Sequence, residues 1–161
     1  MQYDLIIIGG GPAGVAAGVY GARKKINMAL IAEEFGGQSL VSADVQNWIG
    51  TKSVSGLDLA KMFEEHVRGH EGIEIVDGDA VTAVKKIDGG FVVSTKNGKS
   101  LETKTLLLAS GSRRKKLGVP GEKEFDGRGV AYCSTCDAPI FQDKAVAVVG
   151  GRCIVAWPGI L

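Results

Sequence analysis

The chain has 161 residues, 45% of them hydrophobic, and its 19 basic and 18 acidic side chains leave a net charge of +1. That length suits one well-buried domain, or one domain and part of another. Near-neutral charge implies no basic face, which argues against nucleic acid as a partner, and no apolar run approaches the roughly 20 residues of a membrane span.

The opening stretch "MQYDLIIIGG" carries Asp4 ahead of its apolar run and has neither a basic leader nor a small-residue cleavage site. No signal peptide is expected, and the cytoplasm is the default location. "YDLIIIGGGPAGVAAGVYGARKK" predicts a strand, a tight glycine turn and a helix to about Lys24, and "INMALIAEE" (26–34) predicts a second strand that closes a βαβ unit. Gly9, Gly11 and Gly14 fit G-x-G-x-x-G directly after a strand and before a helix, the context that gives this pattern weight. In that pattern the first glycine permits the turn, the second lets a pyrophosphate approach the backbone, and the third lets helix pack on strand. The helix N-terminus adds N–H groups and positive dipole for the phosphates. Glu33, 19 residues after Gly14, is the candidate acceptor for ribose hydroxyls, with Glu34 as its competitor.

"FGGQSLVSADVQNWIG" (35–50) shows no period and predicts an ordered loop. In "SGLDLAKMFEEHVRGH" (55–70), Leu57, Leu59, Ala60, Phe63 and Val67 recur at helical spacing behind Ser55, which predicts an amphipathic helix with a serine N-cap. Short β-type runs follow, "IEIV", "DAVTAVKKI", "GFVVST" and "SLETKTLLLAS", with "DGG" and "KNGK" as turns. The polar, glycine-rich "GSRRKKLGVPGEKEFDGRG" (111–129) reads as a linker, its Arg113 to Lys116 run a solvated connector.

"KAVAVVGG" (144–151) predicts another buried strand entering glycines, a repeat of the opening and the mark of a second dinucleotide-binding unit. Its turn is damaged. Counted from Gly150, Arg152 and Val155 stand at the second and third glycine positions, and Pro158 falls in the helix expected next. A side chain in the pyrophosphate's path, a β-branched residue at the packing position and a helix-interior proline all oppose a working second site.

Between these regions lies "AYCSTCDAP" (131–139), with Cys133, Cys136 and Asp137. The pair could be a redox dithiol, half of a zinc site completed by His66 and His70 one helical turn apart, or two inert thiols. A reducing compartment does not favour a structural disulfide framework, and beside a nucleotide motif the redox dithiol is preferred. One thiolate would attack a substrate disulfide, the other would resolve the mixed disulfide, and Asp137 would serve as acid or base.

"DLIIIGGGPAG", "GGQ", "QNWIG", "LLLASGS", "GVPGE" and "CSTCD" stand in the order and at the spacings of the low-molecular-weight thioredoxin reductases, and the chain resembles that family and the related alkyl hydroperoxide reductase flavoproteins over about residues 3–151. The resemblance implies an α/β fold: a Rossmann-like FAD-binding domain with an inserted β-meander over 1–114, and the start of a second Rossmann-like NAD(P)H domain over 115–161. It implies FAD on the first turn, at Gly9, Gly11, Pro12, Ala13 and Gly14, with Glu33, Gly37, Gln38 and Asn47, and with backbone contacts at Val81, Ala109, Ser110 and Gly111. It further implies electrons passing from NADPH through FAD to Cys133 and Cys136 and on to a protein disulfide such as thioredoxin, in a cytoplasmic homodimer. Family members are considerably longer, and "GGRCIVAWPGIL" departs from the family's pattern of about "GGGNSALEAGIL". The expectation is therefore an N-terminal portion with little NADPH-dependent turnover. A non-catalytic module that holds FAD or ADP is the alternative.

Overall fold

The isoleucine-rich opening forms strand β1 (Gln2–Gly10), whose side chains alternate between two buried faces. The computed structural model describes residues 2–133 and 141–150. Ile7 packs with Leu30 and Phe35 on one side of the sheet, and Ile6 packs with Ala29 and Ile31 on the other. Burial on both faces is why this strand reads as one apolar run instead of alternating with polar residues.

Eight further elements follow, in the order α1 (Pro12–Arg23), β2 (Met28–Phe35), a 3-10 turn (Gly37–Val41), α2 (Gly56–Arg68), β3 (Ile73–Asp77), β4 (Val81–Ile87), β5 (Gly90–Thr95) and β6 (Ser100–Leu108). The six strands form one sheet in the order β3-β2-β1-β6-β5-β4. β3, β2, β1 and β6 are mutually parallel, with Leu5 opposite Met28 on one side of β1 and opposite Thr105 on the other. β4, β5 and β6 form an antiparallel meander. The Rossmann-like α/β architecture with a meander is thus present. Asp79 pins the entry to the meander, where it is buried and its Oδ1 accepts the Asn97 N–H at 3.0 Å. Burial raises the pKa of this carboxyl, yet hydrogen bonds from Thr95 and Asn97 and the Lys99 charge hold it below the usual carboxylate range.

The two helices cover one face. Val15 and Val19 of α1 and Leu59, Phe63 and Val67 of α2 join the cluster with Ile7 and Leu30. Leu57, expected on this apolar face, is instead 58% exposed. At about 100° per residue, Gly56, Leu59, Ala60, Phe63 and Val67 share an arc of roughly 100°, and Leu57 falls about 60° beyond its edge. Ser55 caps α2 as expected, its Oγ accepting the Asp58 N–H at 3.0 Å. Ser55→Ala should therefore lower stability by about 1 kcal/mol. A urea-midpoint change smaller than a few tenths of a kcal/mol would show that the cap is replaceable by water.

The chain divides into two units, Met1–Arg113 and Arg114–Leu161. In the second, two expectations are corrected. Residues 144–150 are not a strand, and Val146, Val148 and Val149 are 43%, 67% and 66% exposed. A strand exists only by sharing its N–H and C=O groups with a neighbour, and no strand among the described residues pairs with this segment. The expected linker is exposed and without regular structure over 111–119, whereas 120–130 closes turns in which Glu122 is only 6% exposed.

Candidate functional site

The glycines of the first turn differ in what surrounds them. Gly9 has φ +119°, and a Cβ there would lie 2.3 Å from the Ala109 carbonyl oxygen. At Gly10 a Cβ would lie 2.5 Å from the Glu34 carbonyl oxygen, and at Gly14 it would lie 1.8 Å from that of Gly9. These three are demanded by the protein's own backbone. Gly11 is not. Its φ of −76° suits any residue, and among the described residues the nearest atom to a Cβ would be the Gly37 Cα, at 3.9 Å.

Gly11 is also the N-cap of α1, with Pro12 at the first helical position, where a missing N–H costs nothing. The first intrahelical bond runs from the Val15 N–H to the Gly11 carbonyl at 3.0 Å. The N–H groups of Ala13 and Gly14 precede it and have no carbonyl one turn back to bond. They and the helix dipole make the mouth of α1 attractive to an anion.

Around this mouth stand the ends of β1, β2 and β6, the carboxyl edge of a parallel sheet where ligands of such folds bind. Glu33 and Glu34 are exposed near the end of β2, and the Glu33 carboxylate lies 3.7 Å from the Arg113 guanidinium. Gly37 faces Gly11 from the 3-10 turn with φ +54°, and Gln38 follows it. Ala109 continues β6 through a 2.8 Å bond from its N–H to the Ile8 carbonyl, followed by exposed Ser110 and by Gly111 at φ +64°. Val81 opens β4, and the Asp79 N–H just before it donates to Ala32 of β2 at 3.3 Å. Asn47 lies in the exposed loop beside Trp48, whose ring meets Phe63 edge-on at 5.0 Å.

The described residues therefore bring Gly9, Gly11, Pro12, Ala13, Gly14, Glu33, Gly37, Ala109, Ser110 and Gly111 to one sheet edge. They fit a dinucleotide. A position whose backbone and surroundings would accept a side chain, but which holds glycine at the opening of a helix N-terminus, is where a ligand would fill the space. Three features escaped the sequence reading: Arg113 beside Glu33, and the glycines Gly36 and Gly56. A Cβ on Gly36 would lie 2.4 Å from that of Ala60, and one on Gly56 would lie 1.8 Å from the Ser39 carbonyl oxygen. Both serve the seating of α2 against the 3-10 turn, and the only available signal was the paired glycines after β2.

In the second unit Cys133 is half-buried and disulfide-bonded. Cys136 and Asp137, named with it, lie outside the described residues, as do Arg152, Val155 and Pro158. The rings of His66 and His70 lie 5.6 Å apart, tilted by 34°, near the end of α2. Among the described residues no group of three or more His, Cys, Asp or Glu gathers to hold a metal, and no helix is long and apolar enough to cross a membrane.

The sequence model of the pyridine nucleotide-disulphide oxidoreductase family matches residues 3–154. An alkyl hydroperoxide reductase component of Pseudomonas putida is 44% identical over 153 residues, and an NADH dehydrogenase of Bacillus subtilis is 42% identical over 149. Each alignment covers 92% of this chain and 29% of the relative, so the chain spans under a third of their length. Among solved structures, the thioredoxin reductase of Streptococcus pyogenes superposes with a TM-score of 0.76 at 36% identity, over 88% of this chain and 46% of that one. That of T. acidophilum gives 0.68 at 37%, over 87% and 45%.

Proposed function

The chain belongs to the pyridine nucleotide-disulphide oxidoreductase family, and from that premise we propose that it supplies the FAD half-site and the redox dithiol of a flavoprotein disulfide reductase. Such a reductase would draw electrons from NADPH and deliver them to a protein disulfide of the thioredoxin kind. The observation that carries the reading is the unfilled approach at Gly11, opposite Gly37. Bound flavin would supply the two-electron link between a nicotinamide and a disulfide.

The chain's own groups have separable tasks in this reading. The Ala13 and Gly14 N–H groups would hold the pyrophosphate, and Glu33 would accept from the adenosine ribose, for which it would exchange its Arg113 partner. Gly37, Gln38, Asn47, Val81, Ala109, Ser110 and Gly111 line the rest. In the dithiol, one of Cys133 and Cys136 attacks the substrate disulfide and the other resolves the mixed disulfide, with Asp137 moving the proton. The domain boundary near residue 114, a cytoplasmic location and a homodimeric parent belong to the same proposal. The sequence at Arg152 and Val155 would block pyrophosphate at the second turn, so NADPH-dependent turnover by this chain is expected to be slight.

The experiment is a visible absorption spectrum of the 161-residue chain after incubation with FAD and removal of unbound cofactor. A retained flavin band with a protein-shifted maximum is the expected result. A colourless protein would withdraw the flavin assignment from this chain. Retention of ADP without any transfer of electrons to Cys133 would favour the non-catalytic module.

A further inference from the structure

Glu122 is the one buried carboxylate among the described residues of the second unit, and it sits in a run of turns closed by a bridge between Asp126 and Val130. Burying a charge there is costly unless its lone pairs are used. They are. Oε1 accepts the Leu117 N–H at 2.7 Å and the Tyr132 hydroxyl, and Oε2 accepts the Gly118 N–H at 2.6 Å. Hydrogen bonds to an ionised acceptor are the strong kind.

The Tyr132 ring in turn carries the Lys116 ammonium 4.1 Å from its centroid, and Lys116 pairs with Asp126 at 2.9 Å. The Gly127 N–H donates to the Val130 carbonyl, and the Val130 N–H donates to that of Phe125, each at 2.9 Å. One carboxylate thus ties the chain at 117–118 to the chain at 132, and the next residue is Cys133. Tyr132 holds the Glu122 carboxyl below its usual range, and burial and Glu122 push the Tyr132 phenol up. At neutral pH the acceptor is therefore charged and the donor keeps its proton, as the lock requires.

We propose that Glu122, acting through Tyr132, is a positioning residue for Cys133. It anchors the main chain from which the cysteine projects and so sets how readily the disulfide at Cys133 opens. This rests on the redox reading above, and the test separates the two.

The 161-residue chain is equilibrated in glutathione buffers of graded composition, and Cys133 is scored by alkylation and mass spectrometry. In the exchange two glutathione thiols give up two electrons and two protons. The protein S–S bond breaks, one S–S bond forms between the glutathiones, and both protein sulfurs leave as thiols. The proteins compared are the wild type, Glu122→Gln, Tyr132→Phe and, as control, Lys123→Ala, an exposed neighbour outside the lock. Glutamine turns one acceptor atom into a donor facing the Gly118 N–H, and because the lock is formed with Cys133 disulfide-bonded, Glu122→Gln should weaken that state and move the equilibrium toward the dithiol by about tenfold, or about 30 mV for a two-electron couple. Tyr132→Phe, which keeps the ring and loses one hydrogen bond, should move it in the same direction by less, and Lys123→Ala should leave it unchanged. Equal equilibria for wild type and Tyr132→Phe overturn the proposal even if Glu122→Gln fails to fold, and an equal shift in Lys123→Ala overturns it as well. A wild-type Cys133 that never exchanges removes the redox reading and the proposal with it.

Discussion

Gly14→Ala is expected to remove about 3 kcal/mol or more of stability, at the upper end of what overpacking costs, and to lower the melting temperature by about 10 °C or more. The added Cβ would lie 1.8 Å from the Gly9 carbonyl oxygen and 2.9 Å from its carbon. Movement of either atom is resisted by the paired residues on both sides of Gly9, Ile8 lying opposite Ile31 and Leu108, and Gly10 opposite Phe35. Relief would require α1 to lift off the sheet, carrying Val15 and Val19 out of the core they share with Leu30 and Val67. Since whole domains are stable by only about 5–15 kcal/mol, the variant should be close to unfolding at about 37 °C, and circular dichroism melting curves would show it. An unchanged melt would mean that α1 is not seated on β1 as described.

Three residues earlier, the same substitution should act on the ligand and not on the fold. Among the described residues Gly11→Ala meets no atom closer than 3.9 Å, and it needs no unusual φ, so it should cost under about 1 kcal/mol, the difference between glycine and alanine at an N-cap. Its methyl group would occupy the approach proposed for the pyrophosphate. Flavin affinity should fall by at least about tenfold, a loss of about 1.4 kcal/mol, read by titration of FAD fluorescence beside a melting curve. A variant that melts and binds FAD like the wild type would place the pyrophosphate elsewhere. The opposite pattern, lost stability with binding intact, would contradict the geometry at Gly11. The two substitutions thus separate a glycine that packs from one proposed to bind, although the motif presents them as members of one pattern.

The parallel strands, the glycine turn, α2 with its Ser55 cap and the meander were legible because each rests on local rules: apolar period, turn chemistry and capping. Leu57 was misassigned for a reason just as local, since helical spacing alone does not say where the buried arc ends. The segment 144–150 failed differently. "AVAVV" has the composition of a strand, and composition states only what a segment could do if a partner offered its hydrogen bonds.

The candidate site divides along the same line. Gly9, Gly11, Gly14 and Glu33 came from spacing along the chain, and so did the Cys133 to Asp137 segment. The opposition of Gly37 to Gly11, the pairing of Arg113 with Glu33 and the burial of Glu122 between residues 117 and 132 join positions that only the folded backbone brings close. The sequence by itself determined the kinds of element, their order and the residue types able to serve a nucleotide or a disulfide, because backbone preferences and side-chain chemistry belong to each residue and its near neighbours. The tertiary structure alone decided which glycine is free of backbone crowding, which apolar residues are left outside and which acid is buried in the turns ahead of Cys133, because those depend on what the fold places against each residue.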